Sequence, residues 1–337
     1  MQYLIESQLI LEYTLHRTCV GGNKGIQKDL DDGIDTIGKK MTVCQLYAKQ
    51  IRHRGNVRYN TKNGRKRLMK LLEEDKLGGC PIDSVKLSDA KEWAIRMKEK
   101  GISYKTISND KRSLKAAFYA AIQDDCIRKN PFDFQLNTVI EDDTEPKVPL
   151  TPAQEESFLS FAQNDKVYQK YYDELIILLG TGLRISELCG LTDTDIDFEN
   201  RIINVDHQLL RSAETGYYIE TPEMKSGIRQ IPMSEKVYEA FNRVLKRRRG
   251  AKAVTIDGYS NFLFLNRDGY PKTATNYDGM FRGLAKKYNK YHEEALPKVM
   301  TPHTLRHTFC TNMANAGMNP KALQYIMGHS NITMTLN

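Results

Sequence analysis

Residues 137–150, NTVIEDDTEPKVPL, carry four acids and two prolines and show little helical or strand periodicity. Proline fixes its own φ and pushes the residue before it away from the helical region, so no regular element runs through this stretch. Whatever folds on either side must therefore close its own core. A chain of 337 residues is long enough to hold two.

Upstream of that break the pattern is helical. Val43, Leu46, Tyr47 and Gln50 begin one amphipathic stretch. Ser88 is placed to cap a second, DAKEWAIRMKEK, with Ala90, Trp93, Ala94 and Met97 on its apolar face and Gly101 as its stop. A third is expected from Ser103 to Asp124, with Ile107, Leu114, Ala117, Phe118 and Ala121 aligned, and Asn130-Pro131 ends it. Residues 41–146 thus read as an all-helical domain. Residues 1–40 read as a lead-in, the remnant of a larger module, because Gly21, Gly22 and Gly25 interrupt the apolar set Leu4, Ile5, Leu9, Ile10 and Leu11.

Downstream, Thr151-Pro152 with Gln154 has the form of a capping box and opens a second domain, residues 151–337. Its expected helices are 153–163, 171–179, 235–249, 276–291, 302–316 and 320–327. Its expected strands are RIINV, GYYIE and IRQIP, the last two forming a hairpin around Ser226-Gly227. The predicted fold class is mainly α with a small antiparallel β-sheet.

Lysine plus arginine exceed aspartate plus glutamate by 50 − 42 = 8, which favours a polyanionic partner. From Lys49 to Lys70 no acid interrupts Lys49, Arg52, Arg54, Arg58, Lys62, Arg65, Lys66, Arg67 and Lys70. Arg243, Lys246, Arg247, Arg248, Arg249 and Lys252 form a second such cluster. Each run taken alone is as well explained by a solvated face. Cys19, Cys44, Cys80, Cys126, Cys189 and Cys310 are scattered without a C-x-x-C pair, which suits free thiols in a reducing compartment rather than a disulfide scaffold or zinc knuckle. No apolar run approaches the ~20 residues that span a bilayer, and the N-terminus lacks the basic flank of a signal peptide. A cytoplasmic protein without membrane partners is expected.

Several cationic side chains stand at places where the local pattern presents them. Arg184 follows the Thr181-Gly182 turn in TGLRISEL, at the mouth of a helix; a surface arginine is the plain alternative. Lys225 in EMKSGIRQIP precedes Ser226-Gly227 near a hairpin tip, where a solvated turn lysine is the plainer reading of the motif taken alone. In TPHTLRHTF, Thr301 caps a helix beginning at Pro302, which puts His303 and Arg306 on one face of its first two turns, near the positive end of the helix dipole. His307 is not assigned to this set; a core-satisfied histidine is one reading of it. His329 follows Gly328, a helix stop, and its plain alternative is a cap on free carbonyls. Gathered together, these five would make a cradle for one phosphodiester.

TGLRISEL, HTLRHTF and GHSNITMTLN resemble motifs of the tyrosine recombinases, the phage-lambda-type integrases. KNPFDFQL, DHQLLR, GYYIETP and NPKALQYIMGH resemble the conjugative-transposon members in particular. The likeness runs from about residue 29 to residue 337, with the motifs in the family's order. It implies a helical core-DNA-binding domain followed by a DNA breaking-rejoining catalytic domain. It also implies Arg184, Lys225, His303, Arg306 and His329 as active-site residues, a tyrosine nucleophile just past the GHS box, and double-stranded DNA at recombination core sites as substrate. Copies would assemble on DNA, as tetramers in the family, with an accessory directionality protein. The Lys49–Lys70 run would contact DNA phosphates.

The chemistry agrees with that assignment. Guanidinium forks neutralise non-bridging oxygens, a positioned lysine protonates the 5′ leaving group, and an enzyme-linked 3′-phosphotyrosine conserves bond energy. No cofactor or metal is expected, since no paired carboxylates are evident to hold Mg²⁺. A metal-dependent nuclease is disfavoured for the same reason. Only Ser330 follows His329 as a hydroxyl or thiol candidate apart from threonines, and Tyr325 in PKALQYIM has the spacing of a core residue. A chain ending before its nucleophile leaves a second reading open, a non-catalytic DNA-binding form.

Overall fold

The computed structural model describes residues 40–55, 57–146, 148–222, 227–248 and 253–333. The lead-in up to residue 39, Lys225 with Ser226, Arg249, Lys252 and the last four residues lie outside the described residues. The chain divides into two compact units, residues 1–144 and 145–337.

The first unit is built from α1 (Val43–His53), α2 (Tyr59–Glu73), α3 (Leu87–Glu99) and α4 (Tyr104–Gln123). Thr42 and Gln45 form a reciprocal capping box on α1, and Ser103 caps α4 by accepting from Thr106 N–H. The third helix starts earlier than its sequence suggested. Ser88 lies inside α3; the carboxylate of Asp89 accepts from Lys86 N–H at 2.8 Å and sets the start instead. Trp93, Phe118 and Phe132 are fully buried at the centre, with Trp93 edge-on to Phe132 at 5.8 Å between centroids. Asp75 ties α3 to the loop after α2 through a bidentate Arg96 fork at 2.7 and 2.9 Å.

The second unit comprises α5 (Pro152–Asn164), α6 (Tyr172–Thr181), α7 (Ile185–Gly190), β1 (Ile196–Asp197), β2 (Ile202–Val205), β3 (Gln208–Ser212), β4 (Gly216–Glu220), β5 (Arg229–Pro232), α8 (Glu235–Arg248), α9 (Ala274–Tyr291), α10 (Pro302–Asn315) and α11 (Pro320–Met327). The capping box at Thr151 and Gln154 forms as read, with Pro152 in the first turn. Helix α6 is apolar on every side, from Leu175 to Leu179, so it is the buried axis of the unit and packs against α8 and α10. Its acidic first turn is neutralised from outside. Asp173 takes Arg243 at 2.8 Å and Arg247 at 2.6 Å, and Glu174 takes Lys272 at 2.5 Å. Part of the second basic cluster is therefore a buttress for α6 rather than a purely solvated face.

The strands correct the expected hairpin. GYYIE and IRQIP do not pair with each other. The described strands form two antiparallel sheets, a three-stranded one ordered β1-β2-β5 and a two-stranded one of β3 and β4. β5 pairs with β2, with Ile203 opposite Ile231, both buried in the core. β4 pairs with β3, the segment QLLRS, which the sequence did not offer as a strand. The link carrying Lys225 therefore joins two sheets, from β4 to β5, instead of closing one hairpin.

Candidate active site

Helix α6 ends at Gly182, whose φ of +64° is the left-handed conformation that suits glycine. A Cβ there would lie 2.5 Å from Phe309 Cδ1, so space as well as conformation requires glycine. Two residues on, Arg184 is the N-cap of α7, and its side chain is 34% exposed. Glu187, on the first turn of α7, reaches back twice: one carboxylate oxygen accepts from Arg184 N–H at 2.8 Å, the other from Arg184 Nη1 at 2.8 Å. The remaining Nη2 of Arg184 donates to Gly328 O at 2.9 Å.

Arg306 comes to the same place from α10. It is 6% exposed, and its fork donates to Gly182 O at 2.5 Å and to Met327 O. Burial, then the charge of Arg184, push its pKa down to about 9, so the guanidinium remains charged at neutral pH. Helix α11 ends at Gly328, again left-handed with φ +60°, and delivers His329. Gln324 holds His329 from both sides: its carbonyl accepts from His329 N–H at 3.1 Å, and its side-chain amide donates to His329 O at 3.0 Å. Burial pushes the His329 pKa down to about 4, helped by Arg306, Arg184, Arg229 and His307. At neutral pH His329 is therefore an uncharged ring, with one nitrogen to donate and one to accept.

The tertiary structure thus brings Arg184, Arg306 and His329 together. His303 stands one turn before Arg306 on α10 but is exposed where Arg306 is buried, so the helix face they were expected to share is divided between solvent and core. His307, for which the sequence allows a core position, is exposed, and it lowers the His329 pKa less than burial and the three arginines do. Tyr325 likewise leaves the core; it is 52% exposed, and its hydroxyl accepts from Gln230 N–H at 3.0 Å.

Two residues of the cluster were missed. Arg229, the first residue of β5, has a fully buried side chain and grips Glu187 with both arms at 2.8 and 3.0 Å. Burial alone would raise the Glu187 pKa, but the Arg229 fork and then Arg184 bring it down to about 2. The signal for Glu187 was its place three residues after the cap in TGLRISEL. For Arg229 it was weak, because Ile228 and Ile231 fall on opposite faces of IRQIP and the alternation does not say which face is inside. Ile228 proves exposed and Ile231 buried, which turns Arg229 inward.

Scattered acids gave no sign of a metal site, yet Asp195, Asp206 and His207 bring ligand-type atoms within 4.8 Å of one another. Those atoms are occupied by a hydrogen-bond knot. His207 Nδ1 meets Asp206 at 2.6 Å, its Nε2 meets Gly190 O at 2.8 Å, and Asp195 accepts from Thr192 N–H and hydroxyl at 2.7 and 2.8 Å.

In the first unit the Lys49–Lys70 run lies on α1, α2 and the turn between them. Arg52, Arg54, Arg58, Lys62, Lys66, Arg67 and Lys70 are exposed, while Arg65 and Lys49 are half-buried. Within the run, Lys49 is drawn to Asp124 at 2.8 Å, Arg67 to Asp110 at 2.5 Å, and Lys70 to Glu74 at 3.9 Å.

A profile of the phage integrase family matches residues 149–337, which contain the whole arginine cluster. The chain belongs to this family. Among curated relatives, the transposase of transposon Tn916 from Enterococcus faecalis is 68% identical over 312 residues, covering 93% of this chain and 77% of the relative. Among solved structures, the Tn1549 transposon integrase in complex with a circular intermediate DNA is 77% identical over 88% of this chain and 94% of its own, with a TM-score of 0.86. A lambda integrase dimer bound to a core site covers 97% of this chain and 83% of its own at 14% identity, with a TM-score of 0.62, and supports the fold alone. The fold class read from sequence, mainly helical with small antiparallel sheets, is that of these integrases. No helix among the described residues is long and apolar enough to cross a membrane.

Proposed function

We propose that this chain is a site-specific DNA recombinase of a mobile element, which cuts and rejoins duplex DNA through a 3′-phosphotyrosyl intermediate. The observation that carries this reading is the convergence of Arg184, Arg306 and His329 from three separate helix ends. Two guanidiniums held by backbone carbonyls and a carboxylate are set before any substrate arrives, which is how charge developing on a phosphorane oxygen is stabilised without reorganisation. The relatives support it: the Tn1549 integrase was solved with circular intermediate DNA and with transposon right-end DNA.

In the proposed reaction a tyrosine hydroxyl attacks phosphorus, the P–O5′ bond breaks, and Lys225 gives its proton to the departing 5′ oxygen. His303 assists proton movement at the nucleophile, and His329 donates a hydrogen bond to a non-bridging oxygen. Attack by a 5′ hydroxyl on the phosphotyrosine reverses the chemistry, so neither ATP nor a metal ion is consumed. Tyr325 is not assigned as the nucleophile, since its hydroxyl is engaged with Gln230. The basic run on α1 and α2 is assigned to phosphate contacts that position the duplex. Copies are proposed to assemble on DNA, with an accessory directionality protein as a further partner. Action in the cytoplasm is supported by the free thiols Cys44, Cys80, Cys126, Cys189 and Cys310.

The test uses a duplex of the element's end nicked beside the cleavage position, so that the cut strand diffuses away. A covalent protein–DNA adduct that survives detergent and forms equally in a chelator is expected. Salt-sensitive binding without any adduct would replace this reading with the non-catalytic DNA-binding form. Activity abolished by the chelator would point to metal-dependent cleavage instead.

A further inference from the structure

The end of α11 is held in an unusual way. Three successive carbonyls each accept from a different guanidinium: Ile326 O from Arg229 Nε at 2.6 Å, Met327 O from Arg306, and Gly328 O from Arg184 at 2.9 Å. A helix C-terminus leaves its last carbonyls without intrahelical partners and carries partial negative charge, so cations are favoured there. Here the cations are buried or half-buried, and the residue that follows is His329.

Arg229 differs from the other two. Its side chain is fully buried, so no backbone phosphate reaches it. Its Nη atoms close a bidentate pair on Glu187, whose same two oxygens also receive the Arg184 backbone and side chain. A Cβ on Gly328 would sit 3.1 Å from Arg229 Nη1 and 3.3 Å from Arg184 Nη1, so the backbone just before His329 threads between the two guanidiniums.

Resting on the recombinase reading of this site, we infer that Arg229 is a positioning residue: it fixes Glu187 beneath Arg184 and anchors the end of α11 beneath His329, without touching DNA. Two consequences follow. With Arg229 in place, Glu187 is neutralised from the buried side and the Arg184 fork is not drawn wholly onto it. With Arg229 removed, Glu187 keeps Arg184 as its partner and competes with the phosphate for it. The Ile326 carbonyl also loses its donor, and the His329 ring gains solvent. The low pKa of His329, set by burial and by the arginines including Arg229, is the observable linked to that geometry.

Arg229→Lys keeps the charge and removes the fork; Arg229→Met removes both. The His329 imidazole is titrated by NMR in each, with dispersed methyl resonances reporting that the protein stays folded. The inference expects its midpoint to rise by about one pH unit or more in both variants, a tenfold change in proton affinity. In Arg229→Lys, cleavage of the nicked duplex should fall at least about tenfold while duplex affinity stays within about twofold, because a point charge does not replace a bidentate fork. An unchanged midpoint in folded Arg229→Lys overturns the inference, since charge alone then suffices. Parallel losses of affinity and rate that track the folded fraction overturn it too, in favour of a purely structural ion pair. If Arg229→Met fails to fold, the lysine variant decides. A wild-type protein that never cleaves sinks the recombinase reading but leaves the titration standing as a separate test.

Discussion

The two units of this chain use positive charge in opposite ways. In the helical unit the cations of α1 and α2 are mostly exposed; Arg67 reaches the buried Asp110, but the pairs of Lys49 with Asp124 and of Lys70 with Glu74 involve acids whose side chains are at least half exposed. Such pairs contribute only about 0–1 kcal/mol each and are screened by salt. In the second unit Arg229 and Arg306 are buried and hydrogen-bonded to backbone carbonyls, with a carboxylate beneath them. Exposed cations provide attraction to a polyanion in any register. Buried guanidiniums provide a fixed geometry that salt scarcely touches. A protein that must first find a duplex and then act on one phosphate has use for both.

The comparison can be broken most severely at the cores. Leu178→Ala, at the centre of α6 with no exposure, is expected to destabilise the second unit by about 2–5 kcal/mol. Leu114→Ala should do the same to the helical unit. Calorimetry on each variant should show one transition moving while the other holds; if both move together, the units do not fold separately.

Next comes the cluster itself. Arg184→Ala should slow adduct formation by about 10²–10³-fold, the usual cost of one preorganised donor, with duplex binding nearly retained. A loss of binding in step with rate would place Arg184 among the general phosphate contacts.

Acidification separates the units by a different route. The depressed Glu187 contributes stability above its ordinary pKa of 4.5, and that contribution is lost as pH falls toward about 2. The depressed His329 acts in the same direction, because protonating it becomes unfavourable to the folded state between 6.5 and about 4. Stability of the second unit should therefore decline steadily below pH 6.5. Urea titrations at stepped pH check this, and Glu187→Gln should flatten the acidic limb.

The smallest effect is expected on the helical unit's surface. Lys62→Ala and Lys66→Ala should each lower the slope of log affinity against log salt by about 1, leaving the adduct rate at saturating DNA unchanged. A slope that does not respond would remove α2 from the DNA interface.

Much of this architecture was legible in the chain. The spacing of Ile107, Leu114, Ala117 and Phe118 foretold α4, and Thr151-Pro152-Gln154 foretold the cap of α5, because caps and apolar faces are local properties. The ends at Gly182 and Gly328 were legible for the same reason: a left-handed residue at a helix end favours glycine. Strand pairing was not. GYYIE and IRQIP are close in the chain, but partner choice depends on which apolar faces meet, and Ile231 meets Ile203. Burial of single polar residues was equally hidden. His307, Tyr325 and Arg229 all sit in regular elements whose apolar pattern leaves their facing ambiguous.

By itself the sequence determined most of the helices, though not α2, and the chemical types gathered at Arg184, Arg306 and His329, since each follows from neighbours a few positions away. Only the tertiary structure decided that Arg229 and Glu187 join them and that three guanidiniums close on the carbonyls of residues 326–328. The reason is physical. A buried charge must find its partners, and the bonds that join Arg229 to Glu187 and the three guanidiniums to those carbonyls span 21 to 144 residues of chain.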